Sequence, residues 1–377
     1  MHIYKHFTNK KFFAICLVLC FLSQTGNCRA QKEPYESQGQ RFTLLPLAGF
    51  SSDDGIGYGF RGNVYRYDGQ TIPYKQAYAL QLFVTSKGKW THRIKLDLPK
   101  VHANDRLEVD FRYDKEAQAA YYGTLSDTEI AQYSQDEQTY ETHYKTLGII
   151  WYHTLQKPYQ LRIGFIGGHN RITPNTSQNA LLTTLAPVGQ NGGSLIQTHT
   201  ALRRDTRDNY LNSIHGSLQE VLVEYGWGPG GTYNGGELSF EHLHFISISQ
   251  GWTLSQRLIT SLTLGDVPFY EQPKLGSSKT VRGLSPARER GEGQTLINTE
   301  LRWRQLALSQ RYNVNCGLVL FTDIGQIYKR TDGPSLNDWQ LGFGGGLRIF
   351  WYSTIMRLDY GKTKNHQSLY MRFAQTF

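Results

Sequence analysis

The sequence predicts an all-β protein, a 16-stranded antiparallel transmembrane β-barrel with a long external loop folded into its lumen. Three observations predict it. The chain opens on a secretory leader, strand-period alternation with one apolar and one polar face fills most of the rest, and the last alternating segment finishes on an aromatic residue.

The leader comes first. Lys5, Lys10 and Lys11 precede an unbroken apolar run from Phe12 to Leu22, and polar residues then lead to Cys28-Arg29-Ala30. A basic head, a short apolar region and small residues at the cleavage positions describe a signal peptide. The run falls short of the roughly 20 apolar residues a membrane helix needs. Asn27 argues against lipidation of Cys28. The chain therefore divides into a signal peptide (1–30), a short periplasmic segment (31–40) and a barrel (41–377). Four basic residues and no acidic one leave with the leader, so the formal charge falls from +9 to +5. Basic and acidic residues stay mixed along the chain, which argues against a nucleic-acid partner. Of the four cysteines only Cys316 lies beyond the leader, so the mature chain has neither a disulfide framework nor a cysteine metal site.

Glycine (38) and tyrosine (24) are abundant, and no apolar stretch after the leader is long enough for a membrane helix. The polar stretch 126–146 is the best helix candidate. Elsewhere the period is two. In 296–305, Asn298, Glu300, Arg302 and Arg304 alternate with Ile297, Thr299, Leu301 and Trp303. Arg106, Glu108, Asp110 and Arg112 alternate with Leu107, Val109, Phe111 and Tyr113. In a membrane barrel the apolar face meets lipid and the other lines a polar lumen. A soluble sandwich would also alternate, with its apolar face inward, but leaves the leader and the final aromatic uncoordinated.

In order, strands are expected near 42–50, 56–67, 76–85, 89–98, 105–118, 140–154, 159–169, 194–204, 216–227, 233–247, 251–264, 295–306, 315–327, 339–350, 354–362 and 368–377. The number is even, as single-chain bacterial barrels require. Starting in the periplasm, short links fall at 99–104, 155–158, 247–250 and 351–353, and long ones at 119–139, 170–193 and 265–294 on the external side. The 204–215 link is long for a periplasmic turn. Leu369, Met371, Phe373 and Phe377 share one phase of the last strand and form the expected signal to the barrel assembly machinery during biogenesis. Pro46 lacks an amide donor in the first strand, and Gly49 reduces packing near it, so the first-to-last seam is expected to be weak.

Three motifs follow in order on these strands. Val281-Arg282-Gly283-Leu284 lies in the long loop after strand eleven; Glu300 stands on the next strand; and Phe321-Thr322-Asp323-Ile324-Gly325 lies on strand thirteen. Asp205-Thr206-Arg207-Asp208 with Gly216 marks a mid-barrel turn. Together they resemble the BamA/TamA/TpsB outer-membrane assembly superfamily, the bacterial surface antigen barrel, over about 41–377. Leu284 stands where that family carries Phe or Tyr. The resemblance implies insertion or translocation of proteins at the outer membrane, with outer-membrane lipids around the barrel and a first-to-last seam that relatives use as a lateral gate. Relatives usually carry periplasmic POTRA modules before the barrel; the ten residues 31–40 cannot build one. Two readings stay open: a reduced assembly or translocation factor acting with a separate periplasmic protein or lipoprotein, and a structural subunit or passive pore.

An enzyme is not expected. His92, His143, His153 and His199 lie on strands without metal-ligand spacing or a triad pattern, and Gly342, Gly344, Gly345 and Gly346 lie inside a strand rather than a phosphate loop. No cofactor or metal is expected. Those glycines instead leave lumen space for the inserted loop. Arg282 is expected to bond Asp323 there with Glu300 close by, because an arginine fork meets carboxylates bidentately. Arg282→Ala is expected to destabilise the barrel or free the loop to proteolysis, whereas Arg288→Ala, in the same loop, is expected to do little.

Overall fold

The computed structural model describes residues 38–229, 233–309, 314–351, 354–373 and 375–377. The leader and most of the segment expected to follow it lie outside the described residues.

Sixteen antiparallel strands close into one barrel: β1 (Gln38–Ser51), β2 (Gly55–Asp68), β3 (Gln76–Thr85), β4 (Lys89–His102), β5 (Asp105–Ala120), β6 (Thr139–Thr154), β7 (Tyr159–Pro174), β8 (Gly192–Asp205), β9 (Gly216–Trp227), β10 (Asn234–Ser249), β11 (Trp252–Asp266), β12 (Gly293–Ser309), β13 (Val314–Tyr328), β14 (Gln340–Trp351), β15 (Thr354–Lys362) and β16 (Gln367–Phe373). Each strand pairs with its sequence neighbours, and β1 meets β16. The alternation explains the wall. Ile94, Phe111, Leu147, Phe165, Leu320 and Phe343 stand exposed on the outer face. The opposite phase carries ion pairs across adjacent strands: Arg93–Asp110 at 2.6 Å, Lys95–Glu108 at 2.7 Å, Arg203–Glu220 at 2.6 Å and Arg257–Glu241 at 2.7 Å. Apolar side chains outward and charge inward are the arrangement of a wall made for lipid, and the inverse of a soluble sandwich.

The long links all emerge at one end. The 121–138 link holds helix α1 (Asp127–Ile130), closed by a capping box between Ser126 and Glu129, and the 175–191 link holds α2 (Leu181–Leu185). The 267–292 link makes a 3-10 turn at Phe269–Glu271, then pairs Lys274–Leu275 with Glu289–Arg290. Tyr121, Tyr140, Ile172, Leu181, Leu182 and Phe269 form a small core that gathers the three links.

Several expectations are corrected. The barrel begins at Gln38 rather than residue 41, because residues 38–40 pair with 66–68 of β2. The helix candidate 126–146 is helical only at Asp127–Ile130, and from Thr139 onward it pairs as β6. β4 runs through Pro99 to His102, past a bulge, so that link shortens to 103–104. The last strand stops at Phe373, and Phe377 leaves the phase of Leu369, Met371 and Phe373. The reason is that residues 375–377 find their partners inside the lumen. Gly49 is not a gap in the packing: the ring of Phe83 lies across β1 and β2, so a Cβ at Gly57 would fall 2.4 Å from its Cζ and one at Gly49 3.4 Å.

Candidate functional site

The site is built where the 267–292 link enters the barrel. Arg282 has no exposed surface, nor have Glu300 of β12 and Asp323 of β13. Its Nε donates to Asp323 Oδ2 at 2.7 Å, its Nη2 to Oδ1 at 2.8 Å, and its backbone N–H to Oδ2 at 3.0 Å. Nη1 turns to Glu300 Oε1 at 2.6 Å. The guanidinium lies 3.4 Å above the centre of the Phe321 ring. Burial disfavours charge on Arg282, but the pull of Asp323 and Glu300 outweighs it and raises the pKa above the ordinary arginine value. Charge-assisted bonds of this kind are strong where water is excluded.

Small residues let the loop approach. Gly283 has φ +91°, and a Cβ there would come 2.6 Å from the backbone of Gly361 on β15. A Cβ at Gly342 would meet the Arg282 carbonyl at 2.5 Å, and one at Gly325 would meet Leu275 and Val281 at about 3 Å. The loop thus fills the space beside Gly325, Gly342 and Gly361, whereas Gly344 is met by Phe321 and Tyr360 and Gly346 by Asp359 and Arg348 of the wall itself. Val281 and Leu284 pack with Leu275 and Leu296 into a sealed apolar cluster, so Leu284 fills its place by aliphatic packing.

The sequence pattern does not single out half of this network. Asn298 donates to Asp323 Oδ1 at 2.8 Å and to the Thr280 carbonyl at 2.9 Å. Arg302 bonds Glu300 at 2.8 Å, Arg348 bonds Asp359, and Asp359 lies 3.4 Å from both Arg282 and Arg357. Tyr370 OH accepts from the Gly283 amide at 3.3 Å. Thr376 Oγ1 donates to Glu300 Oε1 at 3.1 Å and accepts from Arg357. The available signal was phase: Arg348, Arg357 and Asp359 are the charged residues on the lumen phase of β14 and β15.

The turn motif stands apart, at the short-turn end. Arg207 grips Asp205 with two bonds of 2.9 and 2.8 Å, and Asp208 Oδ1 accepts from the amides of Ile214 and His215 at 3.1 and 3.2 Å. Gly216 has φ +92°, and a Cβ there would sit 2.3 Å from the Thr206 carbonyl. That explains each motif residue as a closure of the 206–215 link. Asn212 of this link bonds Gln375 at 3.0 Å and so touches the lumen network.

Seam geometry completes the picture. β1 and β16 share two register pairs, Phe50–Met371 and Ser51–Tyr370, whereas every other neighbouring strand pair shares at least six. Among the described residues, 42–49, including Pro46 and Gly49, shares no register pair with β16 and is laddered to β2. Leu369, Met371 and Phe373 are on the outer face beside it, opposite in phase to buried Tyr370.

Arg288 is a correction. Its guanidinium holds Asp127 of α1 at 2.8 Å and the Leu125 carbonyl at 2.9 Å, because the 121–138 link folds over the loop. Burial disfavours the Asp127 carboxylate, yet bonds from Asn365 and Arg288 hold its pKa below the ordinary 3.8. A depressed carboxylate contributes stability above its unfolded pKa and loses it as pH falls through the folded value. Acidification below about 3.8 should therefore loosen α1. Hydrogen exchange of the Ile130 and Ala131 amides, corrected for intrinsic rate, should show protection lost there, and Arg288→Ala should reproduce the loss at neutral pH. Protection unchanged in both cases would count against this link.

The Omp85 superfamily domain matches residues 82–375. Among solved structures, BamA from Haemophilus ducreyi lacking POTRA domains 1–3 is 10% identical, with a TM-score of 0.62 over 90% of this chain and 70% of that one. CdiB from Escherichia coli is 12% identical, with a TM-score of 0.62 over 92% of this chain and 63% of that one. CdiB from Acinetobacter baumannii is 10% identical, with a TM-score of 0.55 over 89% and 59%. The chain thus spans less than two thirds of either CdiB. A search of curated protein sequences gives no match. At these identities the structural likeness speaks for the fold.

Proposed function

Starting from a chain that belongs to the Omp85 superfamily, we propose that this outer-membrane barrel inserts or translocates polypeptide chains by opening between β1 and β16. The observation that carries the reading is the seam of two pairs. Backbone groups along 42–49 face a lipid environment without a full ladder, and such an edge favours pairing with an incoming strand. The residues Leu369, Met371 and Phe373 then serve the barrel's own assembly, and a separate periplasmic protein or lipoprotein supplies client capture. The short-turn end faces the periplasm in this reading, and the long links face outward.

The alternative is a structural subunit or passive pore, in which the seam stays shut. Phe50→Cys with Met371→Cys separates the two, because these residues are register partners. The pair should crosslink under oxidation. Cells carrying the locked barrel as their sole copy should lose several outer-membrane proteins several-fold, with recovery on reduction. An outer-membrane protein profile that does not change on locking would overturn the insertion reading.

A further inference from the structure

Past β16 the chain does not continue along β1. Gln375, Thr376 and Phe377 enter the lumen and belong to no strand. Their hold comes from side chains of the wall. Arg348 Nε donates to Gln375 Oε1 at 3.0 Å, while Gln375 Nε2 donates to Asn212 Oδ1 at 3.0 Å. Thr376 Oγ1 donates to buried Glu300 at 3.1 Å. Arg302 Nη2 donates to the Phe377 carbonyl at 3.2 Å, and the Arg302 Cζ lies 5.0 Å from the centre of the Phe377 ring. That ring packs on the cluster of Leu218, Leu243 and Phe245. An amide, a hydroxyl and an aromatic are each met by a fitted partner, as in a peptide-recognition site with separate pockets.

The site is larger than its occupant. A cavity of about 250 Å³ adjoins it toward the short-turn end, lined among others by Ser213, Trp252, Arg302, Arg348 and Gln375. Among the described residues, Arg302 Nη1 and Arg348 Nη2, on side chains that line it, are buried without a hydrogen bond, with Glu300 Oε1 3.8 Å from Arg348 Nη2. Buried donors left unmatched are costly, and a further peptide carbonyl or carboxylate would satisfy them.

The resident segment also has a second place to go. Continuing the Phe50–Met371 register sets Phe373 opposite Ala48, Gln375 opposite Pro46 and Phe377 opposite Leu44. Residues 375–377 can therefore lie in the lumen or extend the seam, but not both. When they extend the seam, the lumen site stands empty.

We propose that this lumen site binds polypeptide in trans, in exchange with residues 375–377. The ligand is an extended segment in which an amide or hydroxyl side chain precedes an aromatic one. The inference rests on the function proposed above for the origin of such chains, and its test does not depend on the seam.

The probe is a fluorescent peptide with the sequence of residues 372–377, titrated by anisotropy onto the purified barrel in detergent. Phe377→Ala empties the aromatic pocket and should bind it at least tenfold more tightly than the parent chain. Adding Phe245→Ala should reverse the gain, and a peptide with alanine for its last Phe should not bind. Binding of a free-ended peptide tighter than the same sequence embedded between glycines assigns the site to chain ends; equal binding assigns it to internal segments. Asn212→Cys with Gln375→Cys covers the case of a variant that fails to fold. The tethered segment in the otherwise unaltered barrel should block the peptide, and reduction should restore it. No saturable binding to Phe377→Ala, or binding indifferent to the tether, overturns the proposal. If that happens while the locked seam still depletes outer-membrane proteins, only this inference falls.

Discussion

Arg282→Ala is expected to destabilise the barrel by ~3–5 kcal/mol, the typical cost of removing one partner from a buried ion pair. The loss is not shared evenly. Glu300 keeps a cation, Arg302 at 2.8 Å, but Asp323 keeps two neutral donors, the Asn298 amide at 2.8 Å and the backbone N–H of position 282 at 3.0 Å. Asp323 is therefore the charge that becomes stranded, and Asp323→Asn placed on top of Arg282→Ala should recover part of the stability. Arg282→Lys should rescue poorly, since a point charge cannot replace a fork that meets Asp323 through two nitrogens and Glu300 through a third. The readout is the temperature at which the folded, fast-migrating form is lost, together with protease cleavage within 267–292. An unchanged midpoint with an uncut loop would refute the lock.

Gly283→Ala should come close to that effect through sterics alone. Its Cβ would press on the backbone of Gly361 and Lys362 at 2.6 Å, where β15 cannot yield without breaking its ladder. Overpacking of this kind costs about 1–3 kcal/mol. A non-glycine residue held at φ +91° adds strain of about 1–3 kcal/mol. Gly333→Ala is the matched control, because Gly333 also has positive φ, +66°, but no atom within 4 Å of an added Cβ. A drop confined to Gly283→Ala assigns the cost to close approach; equal drops would leave backbone strain as the whole effect and remove the docking argument.

The barrel was legible because its information is local. A strand such as β12 writes its two environments into neighbouring residues, Ile297 for lipid and Asn298 for the lumen, and no distant partner is needed to read them. The same holds for the 206–215 link, where Asp205, Arg207, Asp208 and Gly216 close on one another. Partnerships across the lumen are different. Asp359 meets Arg282 over 77 positions, and Thr376 meets Glu300 over 76. Alternation says only that such residues face inward, not whom they meet. Phe377 shows the limit most clearly. Its phase on a continuing strand is correct by local pattern, yet Arg302 and the Leu218–Phe245 cluster offer more than an unladdered edge does. Arg288 was misplaced for the same reason: its partner, Asp127, belongs to a different link.

The layer around Arg282 has an electrical consequence. Arg282, Glu300, Asp323, Asn298 and Asp359 have no exposed surface, and Arg348 and Arg357 have 2% or less. Charges of both signs, fixed in place and cut off from water, make the contact between the docked loop and β12–β15 a dry ionic layer rather than a solvated lining. Water reaching this layer would have to part Arg282 from Asp323, so its hydration and the unlocking of the loop become one event. Displacing the loop would bring these seven buried polar side chains into water together.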